Sequence, residues 1–171
     1  LIEEQQLGPG DQRARDRQHL LLAARQRSGV LAQPLAHARE QLERALAQLQ
    51  ERDACLLTGS GVAAIAMPLL ALLKAGDHVV YFAELYGPTR ALVRRLLGRY
   101  GVTSTLLTVD DLEALERTLA GTPTRLVIFE SPTNPVLKVA DVGRITSIAR
   151  RHGAFTLLDN TLGGLHNHGQ F

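Results

Sequence analysis

Residue types that could bind a small charged molecule occur in four short segments of this sequence. The segments are Gly59-Ser60-Gly61, Glu84-Leu85-Tyr86-Gly87, Glu130-Ser131-Pro132-Thr133-Asn134-Pro135 and Asp159-Asn160-Thr161. A glycine-rich turn before a helix offers backbone N–H groups to a phosphate, and a tyrosine ring can stack on an aromatic ligand. A carboxylate at the end of an apolar stretch needs a cation or several hydrogen-bond donors. Together the segments offer a phosphate site, an aromatic ring, an amide and a carboxylate.

Each of these groups also has an ordinary structural explanation when it is taken alone. Gly-Ser-Gly turns are common, Tyr86 could pack on the surface, and Asp159 could cap a helix or tie a loop. The segment 130–135 is the most specific of the four, because its two prolines fix φ and force the preceding residues out of helical geometry. We therefore expect a rigid loop there, with the Asn134 side chain directed outward.

The elements that would position these segments follow from the alternation of short apolar runs with amphipathic stretches after Ala54. This alternation is typical of repeated β-α units and a parallel sheet. The predicted strands span residues 54–58, 78–82, 103–107, 126–129 and 155–158. The predicted helices span residues 62–74, 89–99, from the N-cap Asp110 to about Leu119, and from Asp141 to His152-Gly153. Ligands of such sheets bind outside the carboxyl ends of the strands, so we expect the four segments to meet there.

Two of the predicted helices also have inward faces that the sequence indicates. Leu92, Val93, Leu96 and Leu97 should face inward from the second helix, and Ile145 and Ile148 from the last one.

The first 52 residues differ in composition from the rest, since they are rich in Arg, Gln, Ala and Leu. A helix is predicted over roughly residues 34–50, because Leu42, Leu46 and Leu49 recur on one helical face. We expect that face to pack on a core or on another subunit. The chain is therefore divided into a helical N-terminal segment, residues 1–52, and an α/β segment, residues 53–171.

Composition narrows the class of protein. The 171 residues are 45% hydrophobic, enough to bury one core. The 19 basic and 17 acidic residues are interleaved, which leaves no stripe of one sign for a nucleic-acid backbone. No apolar stretch reaches the roughly 18 to 20 residues of a membrane span, and the polar run 3–6 argues against a signal peptide. We expect a cytoplasmic protein without an internal disulfide, since Cys55 is the one cysteine.

With these motifs assembled, residues 41–171 resemble the Cys/Met-metabolism family of pyridoxal 5′-phosphate (PLP) enzymes. The family includes cystathionine γ-synthase, the cystathionine lyases, methionine γ-lyase and O-acetylhomoserine sulfhydrylase. The resemblance implies that Ser60, Gly61 and Val62 hold the cofactor phosphate and that Tyr86 stacks on the pyridine ring and takes part in proton transfer. It further implies that Asn134 bonds the phenolic oxygen and that Asp159, in one motif with Thr161, pairs with the ring nitrogen.

The same resemblance implies the fold, the chemistry and the assembly. The fold is the type I PLP-dependent transferase fold, a mostly parallel sheet flanked by helices, here as an incomplete large domain. The expected reaction is elimination or replacement at the side chain of a sulfur-containing amino acid, by a C–S lyase or γ-synthase. Family members form homo-oligomers, dimers or tetramers, whose active sites lie between two subunits.

The sequence departs from the family pattern in several places. The Schiff-base lysine lies beyond the aspartate motif in the family, so we expect it outside this sequence, whose two lysines, Lys74 and Lys138, are assigned structural roles. Val62 replaces the usual methionine, and residues 162–164 replace the usual Phe-Ala-Thr. The Tyr-x-Arg pair that serves the neighbouring subunit's phosphate has only Arg27 as a loose candidate. His166 and His168 are interpreted as part of a loop, and no metal site is expected.

Two alternative functions remain at this point. The chain could be a catalytically inactive PLP-fold module or subunit that assembles with a competent partner. It could also be a nucleotide- or phosphate-binding α/β domain that uses only the turn 59–61, although such a domain has no need of Tyr86, Asn134 and Asp159. The Schiff-base lysine of the family is missing from this sequence. We expect the reason to be that the sequence is part of a longer polypeptide.

Overall fold

The computed structural model describes residues 34–164 of the chain, and these residues fall into two compact units. Residues 34–48 and 53–55 belong to the first unit, and residues 49–52 and 56–164 belong to the second. The predicted division at residue 52 stays a prediction. The candidate Arg27 and the pair His166 and His168 lie outside the described residues.

Helix α1 covers residues 34–49, close to the predicted range. Two ion pairs at i,i+4 spacing support it, Arg39 with Glu43 at 3.0 Å and Arg44 with Glu40 at 2.6 Å. On the predicted leucine face, Leu42 is 51% exposed. The described residues therefore bury only part of the surface that the sequence predicts to be packed.

Strands β1 (His78–Phe82), β2 (Thr103–Leu107), β3 (Leu126–Glu130) and β4 (Phe155–Asp159) form one sheet in the order β2-β1-β3-β4. All three neighbouring pairs are parallel. The central strands β1 and β3 are buried along their whole length, as their nearly continuous apolar sequences predict. Because the chain goes from β1 to one side and from β3 to the other, a topological switch point lies between β1 and β3.

Helices connect the strands. They are α2 (Gly61–Leu72), α3 (Gly87–Ala91), α4 (Leu112–Gly121) and α5 (Val142–Arg151). After α3 the chain continues as a π-helical turn (Leu92–Leu96) and a 3₁₀ turn (Leu97–Tyr100). None of the helices in the described range is both long enough and apolar enough to cross a bilayer.

Alternate residues of the central strands enter two separate hydrophobic clusters, because successive side chains of a strand point to opposite faces of the sheet. One cluster joins Val79, Tyr81 and Ile128 to Leu69 of α2 and to Val93 and Leu97. The other joins Val80, Phe82 and Phe129 to Leu115 of α4 and Ile145 of α5. The sheet is thus covered by helices on both faces, and the predicted α/β fold with a parallel sheet is confirmed.

The predicted first strand, residues 54–58, is wrong for the described structure, in which the segment forms no strand. A strand needs a neighbour that takes its backbone hydrogen bonds. The four-stranded sheet ends at β2 on one side and at β4 on the other, and neither edge pairs with this segment. Leu56 is 58% exposed, so its side chain is not packed as a core strand would require.

Two local predictions are corrected. The N-cap of α4 is Asp111 and not Asp110: Asp111 Oδ1 accepts the Ala114 N–H at 2.8 Å, because a turn closed by the Asp111 N–H and Thr108 C=O delays the helix by one residue. Leu96 is 36% exposed instead of inward-facing. In this π-helical turn the backbone hydrogen bonds join residues five apart instead of four. The 3.6-residue periodicity on which the prediction depends therefore does not hold there.

Candidate functional site

A cleft of about 550 Å³ lies at the carboxyl ends of the strands, beside the switch point between β1 and β3. All seven residues predicted to bind the cofactor line it, namely Ser60, Gly61, Val62, Tyr86, Asn134, Asp159 and Thr161. Another hollow of about 600 Å³ lies next to α5 and β4, and none of the seven lines it. The structure therefore brings the predicted residues together in one place.

The first side of the cleft is the start of α2. Ser60 is the N-cap in extended geometry, and its Oγ accepts the Ala63 N–H at 3.2 Å while its C=O accepts the Ala64 N–H at 3.0 Å. The N–H groups of Gly61 and Val62 belong to the helix start, where no intrahelical acceptor exists. Both residues line the cleft, so these amides and the positive end of the helix dipole suit an anion.

The second side is formed by Tyr86, which follows β1 and precedes α3. Its side chain is 46% exposed and lines the cleft. The backbone is fixed at both ends, because the Tyr86 N–H donates to Glu130 Oε2 at 2.7 Å and its C=O accepts the Arg90 N–H at 3.1 Å. A fixed backbone and an exposed ring are what stacking on a flat ligand requires.

The loop after β3 places Asn134 at the cleft. Thr133 is fully buried; its N–H donates to Lys138 C=O at 2.9 Å, and its Oγ1 accepts the Lys138 N–H at 3.1 Å. Ser131 Oγ accepts the Ala140 N–H at 3.1 Å, and the peptide bonds before Pro132 and Pro135 are cis. The loop is thus closed on itself by hydrogen bonds, and Asn134 is exposed at its tip, as the sequence predicts.

The remaining side is the end of β4. Asp159 is half-buried, and its Oδ1 accepts the Thr161 N–H at 3.1 Å and the Thr161 hydroxyl at 2.5 Å. Thr161, which belongs to the same motif, therefore supplies part of the hydrogen-bond donors that this carboxylate was expected to need. Asn160 Nδ2 donates to Gly164 C=O at 2.7 Å, whereas the buried Asn160 Oδ1 has no hydrogen-bond partner within residues 34–164.

Glu130 also lines the cleft, although sequence analysis assigned it no role. Burial raises the pKa of the Glu130 carboxyl above its ordinary value, and the Asp159 carboxylate raises it further, whereas the backbone N–H groups of Tyr86 and Asn134 lower it. Its position gave a usable signal, because Glu130 ends an apolar strand just as Asp159 does. Thr89 is a further lining residue that the sequence did not indicate, and Asn160, from the predicted segment 159–161, also lines the cleft.

The donor set defines the kind of ligand that the cleft can hold. Amides at a helix start suit a phosphate, the Tyr86 ring suits a planar aromatic group, and Asp159 suits a cation or a donor on the far side of that group. A phosphorylated aromatic ring with a protonated nitrogen satisfies all of these groups together.

The chain is similar to several curated proteins of known sequence. The chain is 41% identical over 121 residues to the L-methionine gamma-lyase of Pseudomonas putida. The aligned region covers 70% of this chain and 30% of that protein. It is 39% identical over 128 residues to the cystathionine beta-lyase of Lactococcus lactis subsp. cremoris, covering 75% of this chain and 32% of the relative. The chain spans between 30% and 40% of the length of such curated relatives.

Solved structures give the same result for the fold. The O-acetylhomoserine sulfhydrylase of Wolinella succinogenes superposes with a TM-score of 0.69 at 34% identity, over 75% of this chain and 36% of that one. A structure from Campylobacter jejuni, which contains N′-pyridoxyl-lysine-5′-monophosphate, superposes with a TM-score of 0.67 at 31% identity, over 71% of this chain and 30% of that one. The predicted type I fold is confirmed by these neighbours.

The family model described as Cys/Met metabolism PLP-dependent enzyme matches residues 28–166, most of the chain. With the cleft, the fold and the relatives in agreement, the chain belongs to the Cys/Met metabolism family of PLP-dependent enzymes.

Proposed function

We propose that this chain provides the PLP-binding part of an enzyme that catalyses elimination or replacement at the side chain of a sulfur-containing amino acid. Membership in a family of C–S lyases and γ-synthases supports the reaction class. The observation on which the proposal rests is the single cleft where residues from four separate loops meet.

The residues of the cleft fit the cofactor group by group. The amides of Gly61 and Val62, together with Ser60, would hold the phosphate at the start of α2. Tyr86 would stack on the ring, and the exposed Asn134 amide would bond the phenolic oxygen. Asp159, held by Thr161, would pair with the ring nitrogen on the opposite side.

When bound, PLP supplies an electron sink that stabilises negative charge at the substrate α-carbon. The task of Asp159 is to keep the ring nitrogen protonated, because an ion pair favours the charged form of both partners. Thr161 fixes the orientation of that carboxylate through two hydrogen bonds to one oxygen, which leaves Oδ2 for the ring. Tyr86, which lines the same cleft, would take part in proton transfer at the substrate, as the family resemblance implies.

We also propose that the lysine of this enzyme comes from outside the sequence. Lys74 and Lys138 both lie in the described part of the chain, and neither lines the cleft. Lys138 Nζ instead lies 2.5 Å from Asp110 Oδ2 and 3.6 Å from Glu84 Oε1. Homo-oligomeric assembly and a cytoplasmic location stay predictions.

The test is a titration of the purified chain with pyridoxamine 5′-phosphate, followed by its fluorescence. This probe has no aldehyde, so its binding does not require a lysine. We expect saturable binding that is tighter than the binding of pyridoxamine or of inorganic phosphate. No saturable binding would refute the proposal, and equal affinity for inorganic phosphate would support a phosphate-binding domain instead.

A second measurement concerns the reaction. The intact polypeptide, loaded with PLP, should release a thiol from a sulfur-containing amino acid or exchange its side-chain substituent. Cofactor binding without any such turnover would support the alternative of a catalytically inactive module that assembles with a competent partner.

A further inference from the structure

Glu130 is the one buried carboxylate among the described residues, with 4% of its surface exposed. Burying a carboxylate is costly unless donors surround it. A carboxylate that stays buried at the wall of a ligand cleft therefore needs an explanation, and the proposed chemistry does not use it.

The contacts of Glu130 supply that explanation. Its Oε2 accepts the backbone N–H of Tyr86 at 2.7 Å, and the backbone N–H of Asn134 also stabilises the charged form. Tyr86 follows β1 and Asn134 follows β3, so one carboxylate joins two loops that are distant in sequence. Both loops carry residues that we assign to the cofactor ring.

Glu130 is also placed next to the third ring contact. In the parallel ladder it lies opposite Asp159 of β4, and the Ser131 N–H donates to the Asp159 C=O at 3.1 Å. The positions of Tyr86, Asn134 and Asp159 are thus all defined relative to the end of β3.

We propose that Glu130 is a positioning residue, which holds the backbones of Tyr86 and Asn134 so that the ring and the amide meet the same cofactor. This inference rests on the proposed function, because it assumes that the cleft binds PLP.

Glutamine is the informative substitution at this position. A carboxylate has two oxygens that only accept hydrogen bonds, whereas a glutamine amide has one accepting oxygen and an NH₂ group. Glu130→Gln keeps the shape of the side chain but removes its negative charge and leaves one accepting oxygen for the two backbone N–H groups. A matched control is Glu84→Gln, because Glu84 Oε2 accepts the Val109 N–H at 3.1 Å and Glu84 does not line the cleft.

The first test needs no cofactor. Amide hydrogen exchange, followed by NMR on the unliganded chain, should be faster by about tenfold or more at Tyr86 and Asn134 in Glu130→Gln. Amides of the central strands, such as Val80 and Val127, should change little, as should both loop amides in Glu84→Gln. Unchanged exchange at Tyr86 and Asn134 would overturn the proposal.

The second test links positioning to binding. Glu130→Gln should bind pyridoxamine 5′-phosphate about tenfold or more weakly, with inorganic phosphate affinity unchanged, because the start of α2 is not touched. In a Tyr86→Ala background the same substitution should cost less, since contacting residues are not additive. Equal loss for both probes, or full additivity, would mean that Glu130 only supports the fold, contrary to the proposal.

The exchange and binding experiments also distinguish a failure of the positioning role of Glu130 from a failure of the proposed function. If the unsubstituted chain binds no pyridoxamine 5′-phosphate, the proposed function fails, and the exchange experiment alone decides whether Glu130 holds the two loops. If the unsubstituted chain binds and Glu130→Gln binds equally well, the proposed function stands and the role of Glu130 is refuted.

Discussion

Replacing Gly61 with alanine should stabilise the protein and weaken its cofactor affinity. Gly61 is the first residue of α2 and lines the cleft, and a Cβ built on it meets no atom within 4 Å. The protein itself therefore has room for the methyl group. In a helix, the Cα–Cβ bond tilts toward the N-terminus, so the added methyl group lies on the side from which an anion reaches the first amides.

The substitution should raise stability slightly and lower cofactor affinity more strongly. A glycine-to-alanine change at a compatible position stabilises a protein by about 0.4–1 kcal/mol, which corresponds to a rise in Tm of roughly 1–4 °C. Displacing the phosphate from the amides of Gly61 and Val62 weakens a charge-assisted hydrogen bond. The loss should lower cofactor affinity about 10- to 100-fold.

The assay combines thermal unfolding of the unliganded chain with a pyridoxamine 5′-phosphate titration. Gly121→Ala is the matched control, because Gly121 ends α4, has free space around its Cβ position and does not line the cleft. It should gain stability and leave affinity unchanged. Wild-type affinity in Gly61→Ala would refute the assignment of the phosphate to the start of α2.

Three further predictions concern Asp159, His78 and the start of α4. Asp159→Asn keeps the acceptor for Thr161 but loses the charge, so pyridoxamine 5′-phosphate should bind about tenfold or more weakly in a fluorescence titration, and equal affinity would contradict the ion pair. Burial lowers the pKa of His78 from 6.5, so unfolding takes up protons below that pH. In denaturant titrations the contribution of His78 to stability should therefore be constant well above pH 6.5 and fall as the pH decreases through and below it, and His78→Gln should lack this contribution. Asp111→Ala should lower the free energy of unfolding by about 1 kcal/mol, and an unchanged free energy of unfolding would contradict the cap at Asp111.

The convergence of the site could be predicted from the sequence because it depends on topology. Parallel strands place their carboxyl ends at one edge, so the segments at the ends of strands β1, β3 and β4 meet there. Tyr86 and Asn134 follow β1 and β3, and Asp159 is the last residue of β4. Strands β1 and β2 were predicted to the residue, since Gly76-Asp77 and Gly101 separate them clearly from the helices before them.

The rest could not be predicted, because it depends on contacts between distant residues. Residues 54–58 have a suitable composition for a strand, but pairing depends on a neighbour that local sequence does not specify. The role of Glu130 follows from a hydrogen bond to Tyr86, 44 residues away in the chain. A hydrophobic pattern cannot indicate such a bond.

The register of β3 against β4 has a final consequence for the ligand. It places Glu130 and Asp159 side by side, and their like charges oppose each other in a partly buried cleft. The donors around them, the amides of Tyr86 and Asn134 and the Thr161 hydroxyl, are neutral and do not cancel two negative charges. At the other side, the start of α2 presents uncompensated positive dipole ends. The cleft therefore favours a ligand that is cationic near Asp159 and anionic near Gly61, which is the charge distribution of a pyridoxal phosphate whose ring nitrogen is protonated.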